Sequence, residues 1–237
     1  MSTVRRLVLW DIDYTLLDAT GATPAAFRAA FADLFGRPMT TFVTMRGRTE
    51  LRVVPEVLRL NGVADDPCGV AAFLRALRGQ SPDIMAHARR TGQPLPGARE
   101  VLALLAGYRQ VVCAVVTGNI QSSAHAKLAA FHLDETLDLS VSAFGEEHED
   151  RGHLVRTAVR RAAARYAADA WATPVVVGDT PHDMLAAREA GAVAVGVASG
   201  AHSRVRLLAA GADLCLDTLE DAAPLMRLVT STEPPPT

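Results

Sequence analysis

The sequence predicts an α/β protein: a mainly parallel sheet with helices on both faces, and a small all-helical unit inserted after the first strand. Three observations lead there. From about residue 93 onward, short apolar runs rich in β-branched residues alternate with stretches of helical periodicity, the rhythm of right-handed βαβ units. One such run, VRRLVLW at residues 4–10, stands alone at the start. Between about 19 and 92 the apolar residues recur at helical spacing, and no stretch reads as a strand.

Taken in order, Val4 to Trp10 is too short for a membrane span and has the composition of a strand buried on both faces. Thr23 can cap a helix with Pro24 in its first turn; Phe27, Phe31 and Leu34 then keep one face, and Gly36 stops it. A second helix runs from about Thr49 to Leu60 and ends at Gly62. A third starts at Asp66-Pro67, carries Val70, Phe73, Leu74 and Leu77, and ends at Gly79. A fourth follows Pro82. Then helix and strand alternate. Pro96–Ala106 is helical, Val111–Val116 a buried strand, Gln121–Phe131 helical and Leu137–Ala143 a weaker strand. Gly152–Ala168 is a helix, Pro174–Val177 a short strand, Pro181–Ala190 a helix and Ala192–Val197 a strand. Ser203–Ala210 is a helix and Leu214–Leu216 a last short strand. The division expected is a core of residues 1–18 and 93–230, a helical cap of 19–92, and a loose tail of 231–237 with three prolines.

Composition limits the function. In 237 residues, 49% hydrophobic and 21% charged, a sizeable core is within reach. The formal charge of −2 comes without clustered basic residues, so no nucleic-acid partner is expected. No apolar run reaches the ~18 residues of a membrane helix, and the first strand begins too early to leave room for a signal peptide. Cys68, Cys113 and Cys215 are odd in number, widely spaced and set among apolar residues. They read as small core residues of a reducing compartment, so a cytoplasmic location is expected.

The chemistry sits where strands end. Asp11 and Asp13 close the first strand, with Thr15 two residues on. Alternation puts the two carboxylates on one side, and like charges that close call for a cation or a shared proton. Ligands in open α/β sheets bind beyond the carboxyl ends of the strands. The pair therefore reads either as a metal-assisted site with Asp11 as nucleophile or as simple caps of a loop. The strand at 111–116 ends in Thr117-Gly118-Asn119 before a helix, which suits a phosphate cradle and suits an ordinary turn as well. The strand at 174–177 ends in Gly178-Asp179-Thr180-Pro181-His182-Asp183. Asp179 there, on a strand next to that of Asp11, would suit Mg²⁺, which takes few protein carboxylates; Asp183 could cap the following helix and serve the site too.

These stretches, in this order, resemble the haloacid dehalogenase-like superfamily of phosphohydrolases. DIDYT resembles its first motif, VVTGN its second and GDTPHD its fourth, and PLPGAREVLALL resembles the return from cap to core. The resemblance spans nearly the whole chain. It implies a Rossmann-like core with a C1 helical cap, in the phosphoglycolate phosphatase-like branch. It implies that Asp11 attacks phosphorus to give an aspartyl-phosphate, and that Asp13 acts as general acid and base. Mg²⁺ would be held by Asp11, the Asp13 main-chain carbonyl and Asp179, with Asp183 orienting a ligand or water. The tips of Asp11, Asp13 and Asp179 are expected to converge on that one ion. Thr117 and Gly118 would hold phosphoryl oxygens, with Asn119 lining the site.

One element departs from the pattern. The third motif is a lysine, and here the region reads GEEHEDRGHLV with Arg151 in that place. Lys127, the only lysine of the chain, lies about two turns into the helix after Asn119 and competes for the role. The acidic run Glu146–Asp150 reads as a solvated loop. In the insert, Met45-Arg46-Gly47-Arg48-Thr49 resembles the cap segment that faces substrate, so Arg46 or Arg48 could bind a substrate carboxylate or second phosphate. The reading is an Mg²⁺-dependent phosphatase of a small phosphorylated metabolite (phosphoglycolate, phosphosugar or nucleoside monophosphate class), monomer or homodimer. The alternatives are a β-phosphoglucomutase-like phosphosugar mutase and a catalytically idle protein that only binds.

Overall fold

The computed structural model describes residues 4–168 and 170–231. The chain opens with strand β1 (Val4–Trp10) and short β2 (Leu17–Asp18). Helices α1 (Ala22–Phe35), α2 (Glu50–Leu60), α3 (Pro67–Gly79) and α4 (Ser81–Thr91) follow, and β3 (Gln93–Pro94) closes the insert. Next come α5 (Ala98–Ala106), β4 (Val111–Val115), α6 (Gln121–Ala130), α7 (Arg151–Arg165), β5 (Ala170–Trp171) and β6 (Val175–Gly178). The chain continues through α8 (Pro181–Glu189), β7 (Val193–Val197), α9 (Arg204–Ala209), β8 (Leu214–Leu216) and α10 (Ala223–Thr230). The sheet order is β4-β1-β6-β7-β8, with every neighbouring pair parallel.

β1 is central, and its alternation serves two cores. Val8 and Trp10 pack with Val175 and Val177 against α5, α6 and α10, whereas Leu7 and Leu9 pack with Val176 and Ala194 against α7 and α8. All four β1 side chains are buried, each contributing roughly 1.5–3 kcal/mol by leaving water. Because the strands are parallel, their carboxyl ends share one edge. Asp11, Thr117 and Asp179 follow β1, β4 and β6, three adjacent strands.

Helices α1 to α3 build a third apolar cluster around Phe27, Phe31, Val57, Phe73 and Leu77, which also takes in Ile120 from the loop between β4 and α6. The phenyl rings of Phe27 and Phe73 lie 5.4 Å apart and tilted. α4 differs: its Ile84 and Ala88 join the cluster beneath α6. Where the chain leaves for the insert and returns from it, β2 and β3 pair antiparallel, Leu17 with Pro94 and Asp18 with Gln93.

Some expectations need correction. Residues 137–143 are not a strand. A 3-10 turn at Asp134–Thr136 leads into irregular chain that touches β4 at isolated points, such as the bridge between Val116 and Ala143. Local side chains displace the ladder: the Ser142 hydroxyl accepts the Val115 N–H at 2.8 Å, and Asp138 Oδ1 accepts the Ser140 N–H at 2.9 Å. Thr23 does not cap α1; it is buried in the first turn behind Gly21. Cys68 is exposed, unlike Cys113 and Cys215. β5 and α10 were not foreseen. β5 pairs with the start of β1, one residue out of register with the β1–β6 pairing, which is a bulge. α10 is held by Leu225 and Val229 beneath the sheet, and the Ser231 carbonyl after it accepts from Arg6 Nη2 at 3.1 Å; the rest of the expected tail, 232–237, lies outside the described residues. Among those described, no helix is long and apolar enough to cross a membrane.

Candidate active site

Three buried carboxylates meet at the carboxyl edge of the sheet. Oxygens of Asp11, Asp179 and Asp183 all lie within 4.8 Å of one another. Asp11 is carried by the end of β1, where its N–H donates to the Val177 carbonyl at 2.9 Å. Asp179 follows β6. Asp183 sits in the first turn of α8, in a capping box: its Oδ2 accepts from the Thr180 N–H at 3.0 Å and hydroxyl at 2.6 Å. Capping therefore uses one Asp183 oxygen and leaves Oδ1 facing the other acids.

The cluster is electrostatically unbalanced. Neither carboxylate oxygen of Asp179 has a hydrogen-bond partner among the described residues, and the residue is 1% exposed. Burial, then Asp183 and Asp11, push the Asp179 carboxyl up to about 9. Burial also lifts Asp11, to about 7, against the pull of Arg151. Arg151, in the first turn of α7 behind the Asp150 cap, places Nη2 2.7 Å from Asp11 Oδ1 and 2.6 Å from Asp183 Oδ1. Burial opposes the guanidinium charge, but Asp11 and Asp183 outweigh it and hold Arg151 protonated. One cation thus faces three acids. Three carboxylates with oxygens within 4.8 Å of one another leave a gap of the size in which a small divalent cation takes oxygen ligands. The all-oxygen donor set and the orphaned oxygens of Asp179 fit a hard divalent cation.

Asp13 does not join this group. Its carboxylate turns aside to Lys127, whose Nζ lies 2.7 Å from both oxygens, and Asn119 Nδ2 donates to its Oδ2 at 2.8 Å. The expected convergence of the tips of Asp11, Asp13 and Asp179 is therefore corrected: Asp183 takes the third place. Lys127 also donates to Asn119 Oδ1 at 2.8 Å and is 1% exposed. The two basic residues that seemed to compete for one place serve different acids.

The loop after β4 is also not the open cradle the sequence suggested. The N–H of Ile120 goes to Glu50 Oε2 at 3.0 Å and that of Gln121 to Glu146 Oε2 at 3.0 Å, so carboxylates already satisfy the start of α6. Nor is the run 146–150 simply solvated: Glu147 Oε1 accepts the Phe144 N–H at 2.9 Å, and Asp150 caps α7. What stays available is the hydroxyl proton of Thr117, whose oxygen accepts from Asn119 Nδ2 at 2.8 Å, and the N–H of Gly118, which has no acceptor among the described residues. Gly118 is a glycine for contact reasons. A Cβ there would strike the Arg48 carbonyl, and one on Gly145 would strike the Gly118 carbonyl. The start of α2 docks into this gap, with Glu50 N–H to Gly118 O at 2.8 Å and Leu51 N–H to Gly145 O at 3.0 Å.

A cavity of about 440 Å³ lies between the acids and the insert, lined by Asp11, Asp13, Thr117, Gly118, Asn119, Lys127, Arg151 and Asp179. The insert adds Arg46, whose guanidinium lies 4.7 Å over the Tyr14 ring. Arg48 is not in the lining; it pairs with Glu56 at 2.5 Å and donates to the Thr44 carbonyl at 3.3 Å. Tyr14 and Glu50 also line the cavity, and the sequence reading marked neither as a site residue. Tyr14 occupies the variable position of its motif, at φ +60°. Glu50 looked like a first-turn acid that suits any helix, and no pattern in the sequence marks it as buried.

A family model described as haloacid dehalogenase-like hydrolase matches residues 8–188. Over 222 residues, 92% of each chain, the sequence is 31% identical to the protein described as "Probable phosphatase IndB" from Dickeya dadantii (strain 3937). A predicted phosphatase from Clostridium acetobutylicum shares the fold with a TM-score of 0.67 at 16% identity, over 94% of this chain and 98% of that one. CbbY from Rhodobacter sphaeroides, solved in complex with phosphate, does so with a TM-score of 0.67 at 21% identity, over 94% and 97%.

Proposed function

The chain belongs to the haloacid dehalogenase-like hydrolase family, and we propose that it is an Mg²⁺-dependent phosphatase of small phosphorylated metabolites. The observation that carries the reading is the division of the acids: three meet around a gap fit for a cation, and a fourth, Asp13, stands apart on the cavity wall with its own base. Held by Asp11, Asp179 and the Asp13 main-chain carbonyl, with Asp183 behind them, Mg²⁺ would supply charge that neutralises the phosphoryl oxygens.

The chain's own residues then divide the work. A carboxylate oxygen of Asp11 attacks phosphorus; the new P–O bond forms as the bond to the leaving alcohol breaks, and Asp13 gives that oxygen its proton. Water next attacks phosphorus, Asp13 takes the proton back, and the bond to Asp11 breaks to release phosphate. To carry a proton, Asp13 must exchange one of the hydrogen bonds it accepts from Lys127 or Asn119. Those two keep its carboxylate aimed at the cavity. Thr117 and Gly118 offer an O–H and an N–H to the phosphoryl group, and Arg151 offsets part of the acid charge. Residues 19–92 act as a cap over a core of 1–18 and 93–230, excluding water from the reaction.

The test is phosphate release across a panel of phosphoglycolate, sugar phosphates and nucleoside monophosphates, in Mg²⁺ and in EDTA, with Asp11→Asn as control. Release in Mg²⁺ that EDTA and Asp11→Asn abolish supports the reading. Isomerisation of a hexose phosphate without release would move it to a mutase, and binding without turnover to a protein that only binds.

A further inference from the structure

Glu50 is 1% exposed, and its contacts account for only half of its carboxylate. Its backbone N–H reaches the Gly118 carbonyl, and Oε2 accepts the Ile120 N–H. These bonds seat α2 on the loop after β4. Oε1 is buried and accepts nothing among the described residues, yet Glu50 lines the cavity beside Asp13, Asn119 and Lys127. Lys127 does not satisfy it: the three protons of that ammonium are matched by Asp13 Oδ1, Asp13 Oδ2 and Asn119 Oδ1. Burial pushes the Glu50 carboxyl up to about 7, against the Ile120 N–H and the Lys127 charge. An acceptor oxygen held in this way is incomplete until something donates to it.

We propose that Glu50 Oε1 reads a hydroxyl on the leaving alcohol, so that the site selects phosphate monoesters of polyols and sugars over esters whose leaving group carries a carboxylate. The phosphoryl group cannot be the donor, because as a dianion it has no proton to give and its charge repels Glu50. The donor must come from the other end of the substrate. Glu50 stands on that side: it belongs to the insert and neighbours Asp13, the acid for the leaving oxygen. A leaving group with a carboxylate would meet Glu50 as a like charge in a poorly solvated space. The inference rests on the phosphatase reading for which part of the substrate leaves, and on Glu50 for what is recognised.

The test is calorimetric binding to Asp11→Asn in Mg²⁺ at pH 8.5, where the Glu50 carboxyl is ionised, with four ligands: inorganic phosphate, propyl phosphate, glycerol 1-phosphate and 2-phosphoglycolate. Glycerol 1-phosphate should bind at least about tenfold tighter than propyl phosphate, the range of a hydrogen bond to a charged group, and 2-phosphoglycolate more weakly than propyl phosphate. Adding Glu50→Gln keeps an oxygen for the Ile120 N–H and turns the free acceptor into an amide donor. The glycerol advantage should then fall within about threefold and 2-phosphoglycolate should gain, while inorganic phosphate stays within about threefold. Equal weakening of all four ligands would make Glu50 a latch alone and overturn the proposal. So would a preference of Asp11→Asn for 2-phosphoglycolate, which would assign the leaving group to Arg46, or no discrimination at all. If the unaltered protein releases no phosphate from any substrate, the phosphatase reading fails by itself, and the binding order still judges Glu50.

Discussion

Cation binding to this site should expel protons, and the number follows from the acids that hold the ion. Without metal, burial and mutual repulsion hold Asp179 at about 9 and Asp11 at about 7. At pH 7 that leaves Asp179 protonated and Asp11 partly so, and an ion needing both carboxylates displaces between one and two protons. Above about pH 9 both acids are largely ionised and far fewer protons are released. Titrating Mg²⁺ into the protein in buffers of different ionisation enthalpy counts these protons. Apparent affinity should rise more than about tenfold from pH 7 to pH 8, because its slope with pH equals the protons released. Stability follows the same sign. Folded acids raised above their unfolded values bind extra protons in the native state between about pH 4 and pH 9, so the metal-free protein loses stability as pH rises through that window. Added Mg²⁺ should therefore raise Tm more at pH 8 than at pH 6. Proton release near zero at pH 7, with affinity flat from pH 6 to 9, would refute the assignment of Asp11 and Asp179 as the ligands.

Substitutions at four positions probe the rest of the site. Asp11→Asn should lower turnover at least about 1000-fold, read by phosphate release. Lys127→Met should cut kcat about 10- to 100-fold, more for alkyl esters than for p-nitrophenyl phosphate, whose leaving group needs no proton; Lys127→Arg should fail to restore it. Arg151→Met leaves three buried acids without their base, and should cost about 3–5 kcal/mol of unfolding free energy in EDTA, partly recovered by Mg²⁺. Gly118→Ala drives a Cβ into the Arg48 carbonyl and should raise KM and lower stability by at least about 1 kcal/mol, measured by denaturant unfolding.

What the sequence could tell depended on the range of the interaction. β1, β4, β6 and β7 were legible because runs such as VVCAVV and PVVV are short and apolar throughout, and turn residues bound them. Asp11, Asp179 and Asp183 were legible because a strand end fixes where its next side chain goes. Residues 137–143 misled because their apolar alternation is local, while the hydroxyl of Ser142 and the carboxylate of Asp138 decide the backbone bonding. Asp13 misled for a related reason: alternation gave its side of the chain but not its partner, which lies 114 residues away. Glu50 and Gly145 were out of reach altogether. Their roles exist only once α2 is docked on the loops at 118 and 145, and no spacing in the chain encodes that contact.

The two basic residues show how chemistry chooses between lysine and arginine. The chain has 24 of them, and Lys127 is the single lysine. At 151 the base must touch acids on two different elements, Asp11 after β1 and Asp183 in α8, and its Nη2 also reaches the Val116 carbonyl at 3.4 Å. All three contacts are made by that one nitrogen, and Nε is buried without a hydrogen-bond partner among the described residues, so what the guanidinium supplies is a charge that is never lost. At 127 the acceptors are three oxygens around one point, and the nitrogen is buried. An ammonium meets them with three protons and none to spare, whereas a guanidinium would bring five donors into a space with three acceptors and bury the surplus. Arg151 pairs with Asp11 and Asp183, the acids that the proposed reaction uses for attack and beside the cation, and Lys127 pairs with Asp13, the acid it uses to move the proton. In that proposal the two bases are separate, so the charge beside the phosphoryl group is not the one that positions the acid for the leaving oxygen.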